Sequence, residues 1–285
     1  MMALNRPLRS VLYIPASKPR ALDKARNLAV DAIIFDLEDA VSAEEKVAAR
    51  ATLAAALAQD GYGARMKVVR INALDTAWGV DDAQAVADMS IDAILLPKVS
   101  SPADLEALVA ITGSVDLWAM METPLGMLNA PAIASHGHLQ AMVMGTNDLG
   151  KDLNVRFRPD RLPLHAGLGQ CVLAAKAHNI AIIDGVYNAF KDDDGLRAEC
   201  VQGRDMGFDG KTLIHPAQVE IANTEFAPSA DEIDLARRQI EAFREAEAAG
   251  QGVAVVDGRI VENLHVVTAR DTLAKASAIA AMAAE

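Results

Sequence analysis

Eight short apolar runs alternate with helix-patterned segments from residue 10 to residue 215, and that rhythm leaves few folds open. The runs are Ser10–Ala16, Ala32–Asp39, Met66–Asn72, Ala93–Val99, Asp116–Thr123, Gln140–Thr146, Ile180–Tyr187 and Phe208–His215. They are rich in Val, Ile, Leu, Ala and Met and are bounded by turn formers, the mark of strands buried on both faces of a parallel sheet. Helical patterns fill the gaps at Arg20–Ala29, Ala43–Ala58, Asp81–Met89, Pro102–Ile111, Pro124–Ser135, Pro163–Ala177 and Gly195–Met206. Ser101-Pro102 and Thr123-Pro124 each place a cap residue before a proline at the first helical position. Eight such repeats predict an α/β fold, the eight-stranded (β/α)8 barrel, over residues 1–227. An open doubly wound sheet is the alternative, but it calls for a glycine-rich turn after the first strand, and YIPASKPR has none.

From about Pro228 the pattern changes. Ser229–Ala249 reads as a charged amphipathic helix with Ile233, Ala236, Ile240 and Phe243 on one stripe. GVAVVDGRIVE reads as a hairpin around Asp257-Gly258, and a last helix runs from about Asn263 to Ala283. A lone two-stranded hairpin is marginal in water, so residues 228–285 are expected to dock on the barrel or on a neighbouring subunit.

A barrel of this kind works at the C-terminal ends of its strands. Those ends carry Tyr13 to Arg20, Asp36-Leu37-Glu38-Asp39, Arg70-Ile71-Asn72, Lys98, Glu122, Asn147-Asp148, Asp184 to Asn188 and His215. Glu122 and Asp148 close consecutive strands, which puts both carboxylates at one edge, on strands about 5 Å apart. Two oxygen ligands without a His or Cys cluster favour Mg²⁺ over softer metals. Helix capping is the competing role for Asp148; Thr123 already caps the helix after Glu122. Arg70 either clamps a substrate carboxylate or pairs with Glu38 or Asp39. Glu38 and Asp39 either hydrogen-bond the metal's waters or pair with Arg70 and Lys98. Lys98 and Lys211 also admit a Schiff-base aldolase, in which a desolvated lysine attacks a carbonyl.

A net charge of −12 argues against a general nucleic-acid or membrane-surface binder, so an anionic ligand needs a local basic patch. Cys171 and Cys200 lack metal-type spacing, and MMALNRPLRS has no apolar signal core; a cytoplasmic protein is expected.

The segments RSVLYIPASKPRALDKA, AIIFDLEDAV, VVRIN, ILLPKV, METPLG, GTNDLG, GFDGKTLIHP and DGRIVE together resemble the citrate lyase beta-subunit-like family of acyl-CoA enzymes, within the HpcH/HpaI aldolase superfamily. The resemblance covers nearly the whole chain. It implies a barrel with a C-terminal extension, assembled as homotrimers or homohexamers. It implies Mg²⁺ on Glu122 and Asp148, Arg70 on the substrate carboxylate, and Tyr13, Lys18 and Arg20 near the CoA phosphates and adenine. Lyases of this family usually carry an acid/base Asp in the hairpin, reaching a neighbouring subunit's site. Here Glu262 stands in that place, one methylene longer, and such small displacements matter in catalysis. The tail GVAVVDGRIVENLHVVTARDTLAKA resembles the (3S)-malyl-CoA thioesterase branch. Hydrolysis of malyl-CoA is therefore the expected reaction, with Glu262, Arg70, Glu38 and Asp39 as its catalytic residues. The alternatives are C–C lyase chemistry on malyl-, citramalyl- or citryl-CoA, a metal-dependent pyruvate aldolase, and a subunit active only within a larger complex.

Overall fold

A computed structural model describes residues 6–282. Residues 1–5, at the head of the segment read for a signal core, and Ala283, the expected end of the last helix, lie outside the described residues. The chain divides into two compact units, residues 8–226 and the stretch from Ala227 onward, with residues 6 and 7 grouped with the second.

The first unit is a closed parallel barrel of eight strands in sequence order. They are β1 (Ser10–Pro15), β2 (Ala32–Asp36), β3 (Met66–Arg70), β4 (Ala93–Leu96), β5 (Leu117–Met121), β6 (Leu139–Met144), β7 (Ala181–Asp184) and β8 (Gly210–Leu213). Every expected run is found, and each strand stops one to three residues before its run does. The surplus residues leave the ladder at the C-terminal edge, and several of them build the site below.

Alternation along the strands sorts side chains into two layers. Val11, Ala32, Ile34, Val68, Leu95, Trp118, Met120, Val143 and Ile183 fill the barrel's inside. Their neighbours Leu12, Ile33, Phe35, Val69, Ile94, Ala119, Met142 and Ile182 pack outward with the helices. The helix expected over Pro124–Ser135 is instead two, Pro124–Leu128 and Ala130–Ala134. Pro131 cannot donate within a continuing helix, and at the break the Asn129 side chain donates to the Ser100 carbonyl at 2.8 Å. Two short helices, Thr146–Asp152 and Val219–Glu225, are additions to the expected set.

In the second unit Ser229 and Glu232 form a capping box that starts the helix Ala230–Ala248. Strands β9 (Ala254–Val256) and β10 (Arg259–Val261) are joined by Asp257 and Gly258, both left-handed at φ 51 and 74. Two such residues are what a two-residue hairpin turn of the right twist requires. The helix Asn263–Met282 follows, and Phe243, Ala246, Ala254, Val261 and Val266 make this unit's core. Among the described residues no helix is long and apolar enough to cross a membrane.

Candidate active site

The two-residue period that points Trp118 and Met120 into the barrel carries on to Glu122, just past the end of β5. The same parity aims Tyr13 of β1, Asp36 of β2 and Arg70 of β3 inward at the C-terminal mouth. These inward ends, together with Asp39, Asp148, Asn147, Asn188 and the backbone-rich turn at Gly145-Thr146, line a cavity of about 300 Å³.

Arg70 is the most heavily partnered residue there. Its Nε and one terminal nitrogen donate to the two oxygens of Asp36 at 2.8 and 2.6 Å. The other terminal nitrogen lies 2.9 Å from Glu38 and 3.5 Å from Asp39. The guanidinium also sits over the Tyr13 ring, 4.8 Å from its centroid. Burial opposes the positive charge, but Asp36 and then Tyr13 and Glu38 outweigh it, so Arg70 stays protonated. Asp36, which the sequence reading left without a role, is therefore the residue that fixes Arg70. It also ties down the following loop, accepting from the backbone of Glu38 at 2.9 Å and Ala40 at 3.0 Å. Lys46 and Asn72 complete the loop's support by donating to the Leu37 and Glu38 carbonyls and to the Leu37 carbonyl respectively. Both roles weighed for Arg70 thus meet the same fact: its pairs with Asp36 and Glu38 are made, and only the nitrogen facing Glu38 and Asp39 is left for a ligand to share.

Glu122 is 4 % exposed and accepts from the Lys98 backbone N–H at 2.8 Å. Burial first, and the nearby Glu38 second, push its carboxyl up to about 7. The Lys98 ammonium donates to Glu38 at 3.0 Å and lies 3.7 Å from half-buried Asp148. Burial also raises Glu38, whose Oε2 is inaccessible and has no N–H directed at it, close as Arg70 is. Gly145 closes the space behind Glu122: a Cβ there would lie 2.4 Å from both the Cβ and Oε2 of Glu122. Gly145→Ala is expected to displace Glu122 and lower kcat/KM about a hundredfold, as a shift of about 1 Å in a reacting group does. Steady-state kinetics on a variant with an unchanged circular dichroism spectrum is the check.

Glu122, Asp148 and Glu38 offer oxygen only. Among the described residues no three His, Cys, Asp or Glu side chains converge as a ready-made ligand cage. That is the donor set of Mg²⁺, which takes one or two carboxylates and fills its remaining positions with water and substrate. The residues present fit the ion.

The other sequence-picked residues fall elsewhere. Lys18 is exposed and ion-paired with Glu45 at 2.9 Å, and Arg20 is exposed on the helix Pro19–Ala25; neither lines the cavity, whereas Tyr13 does. Tyr13 donates to the Met120 sulfur at 3.4 Å, and burial pushes its phenol up. Glu262 is exposed in the second unit, just after β10. Lys211 is fully buried and donates to Asp184, Glu199 and the Gly185 carbonyl. Those anions outweigh burial and keep it protonated, as Glu38 does for Lys98, so neither lysine is the neutral amine a Schiff base needs. Asn147 and Asn188, expected at the strand ends, had been given no role. Their amides exchange hydrogen bonds of 3.3 and 2.8 Å across the mouth, and both also line a second cavity of about 300 Å³ beside the first.

Comparison with known proteins places the chain among related sequences and folds. The profile of the HpcH/HpaI aldolase/citrate lyase family matches residues 9–216. A (3S)-malyl-CoA thioesterase of Cereibacter sphaeroides is 66% identical over 278 residues, covering 98% of each chain. A citrate lyase subunit beta of Leuconostoc mesenteroides is 34% identical over 282 residues, 95% of this chain and 93% of that one. Among solved structures, a CitE protein of Mycobacterium tuberculosis in complex with magnesium, acetoacetate and coenzyme A superposes with a TM-score of 0.82. It is 29% identical, and the match covers 96% of this chain and all of that one.

Proposed function

The chain belongs to the HpcH/HpaI aldolase/citrate lyase family, and on that premise we propose that it is a Mg²⁺-dependent (3S)-malyl-CoA thioesterase, converting malyl-CoA and water to malate and free CoA. The observation that carries this reading is the 66% identity to a thioesterase of that name over 98% of both chains. The cavity supports it with an all-oxygen ligand pair beside a buried arginine, which suits a hydroxy-acid bearing a second carboxylate.

Glu122 and Asp148 hold the metal in this reading, and Glu38 and Asp39 hold its waters. When bound, Mg²⁺ supplies a Lewis acid and a template for a chelating hydroxy-acid. Arg70, pinned by Asp36, presents its remaining nitrogen to the substrate's charged end. Tyr13 flanks that guanidinium and walls the acyl pocket, while Lys18 and Arg20 offer the CoA phosphates exposed positive charge. Glu262 takes a proton from the attacking water as its oxygen bonds to the thioester carbon. The carbon–sulfur bond then breaks, and the CoA thiolate leaves with the proton that Glu262 took, which restores the base.

A second reading has its own support in the 34% identity to a citrate lyase beta subunit. In it, a base takes the hydroxyl proton and the C–C bond breaks, giving glyoxylate and acetyl-CoA after protonation of the enolate. Malyl-CoA and Mg²⁺ given to the purified protein separate the two. Free CoA and malate without glyoxylate establish hydrolysis; glyoxylate matched by acetyl-CoA establishes cleavage. Excess EDTA is expected to reduce either turnover below detection and added Mg²⁺ to restore it; full activity in EDTA would sink the metal role.

We further propose a homotrimer or homohexamer, in the cytoplasm, with Glu262 delivered to a neighbouring subunit's mouth. Exposed Val255, Ile260, Leu264 and Val267 around the hairpin, and the two free buried cysteines, support these assignments. Light scattering that returns a monomer at assay concentration rules out delivery between subunits.

A further inference from the structure

The structure puts a non-glycine residue in the left-handed region at the centre of the site: Lys98, at φ 57. Pro97 precedes it and β4 has ended at Leu96, so nothing in the ladder requires this turn. An L-residue with a long side chain holds such a conformation only where its surroundings impose it, and strain of this kind gathers at functional sites. Its consequence is visible. The backbone N–H of Lys98 points across to the neighbouring strand's end and donates to Glu122 Oε1 at 2.8 Å. The next residues lock the turn: Ser100 donates to the Lys98 carbonyl at 3.2 Å and shares a hydrogen bond of 2.8 Å with Thr123, the residue after Glu122. The side chain acts on other carboxylates, donating to Glu38 at 3.0 Å and lying 3.7 Å from Asp148.

We propose that Lys98 is a positioning residue whose backbone, through its left-handed turn, orients Glu122 for the metal, while its ammonium faces Glu38 and Asp148 and is not what aims Glu122. The proposal rests on the reading of Glu122 and Asp148 as Mg²⁺ ligands. It separates two roles that a single deletion confounds, because glycine adopts φ 57 freely and keeps the N–H, whereas a β-branched residue resists it.

The test compares Lys98→Gly with Lys98→Val, with the β-branched Lys98→Thr in its place if the valine variant does not fold. Mg²⁺ is titrated into each metal-free protein by calorimetry, beside kcat and KM with malyl-CoA. The glycine variant is expected to bind Mg²⁺ no more than about threefold more weakly than the parent. The valine or threonine variant is expected to bind at least about tenfold more weakly, the usual cost of losing an orienting group behind a ligand. Both lose the ammonium, so electrostatics alone predicts equal affinities. Equal affinities, or weaker binding by the glycine variant, overturn the proposal. A parent protein that binds no Mg²⁺ overturns the metal reading itself, and the same titration shows which has failed.

Discussion

Glu122→Gln will lower turnover about a thousandfold and, in metal-free protein at pH 8, will raise the melting temperature. Glutamine keeps the shape of the side chain and still accepts from the Lys98 N–H, so the fold loses nothing there. What it lacks is the charge that, in the role proposed for Glu122, holds a divalent ion, worth several kcal/mol in the transition state, and about 4 kcal/mol is a thousandfold. The stability gain has the opposite origin. Glu122 is buried, and its carboxyl titrates at about 7 in the folded chain against an ordinary 4.5. Below pH 4.5 both folded and unfolded chains hold the proton. As pH rises from there to 7 the unfolded chain releases it first, so folding stability falls, and above 7 the full penalty stands at about 3 kcal/mol. Glutamine has no such penalty, and melts at pH 8 in EDTA are expected to show a gain of about 5–10 °C. At pH 5, where Glu122 is neutral, most of the difference disappears. Equal melting temperatures at pH 8 would mean that the carboxylate is solvated after all. A carboxylate that destabilises its own fold is the usual bargain of a functional site.

The barrel was legible because parallel strands buried on both faces write themselves as uninterrupted apolar runs, eight times over. Their ends were less so. Each run continues past its strand, since Leu37, Val99 and Val186 are as apolar as what precedes them, and only the hydrogen-bond ladder shows where pairing stops. Glu122 stood out as a charge ending an apolar run. Asp36 did not, although the alternation placing Ala32 and Ile34 inside the barrel puts it there too; counting by twos from the strand would have paired it with Arg70. The turn GTNDLG hid a helix, Thr146–Asp152, because cap residues and a helix this short give no apolar period to read. Lys98 lies beyond any such reading. Its left-handed backbone comes from tertiary packing, and lysine has no preference that announces it.

The other large effect lies outside the cavity, in the layer between β7, β8 and their helices. Asp184 is fully buried, and Lys211 and Arg161 face it. Arg161 donates to both its oxygens at 2.7 and 2.8 Å, and Lys211 to one at 3.1 Å. Burial works against the carboxylate, but the two cations outweigh it and hold Asp184 below its ordinary range. Lys211 and Arg161 also reach Glu199, at 2.6 and 3.6 Å, so two cations and two anions balance. Asp184→Asn removes one charge without removing the need for it, leaving Lys211 and Arg161 to share Glu199. Breaking a buried pair in this way costs about 3–5 kcal/mol, a drop of about 10 °C or more in the melting temperature of a chain this size. The converse follows from the same physics. Lys211→Met in the Asp184→Asn background removes the stranded ammonium and puts an apolar side chain in its place, so the double variant is expected to melt above the single one. Thermal melts of the parent and the two variants decide it. A double variant no more stable than Asp184→Asn would mean that the network holds β7 and β8 through its hydrogen bonds, to Gly185 above all, rather than through its balance of charge.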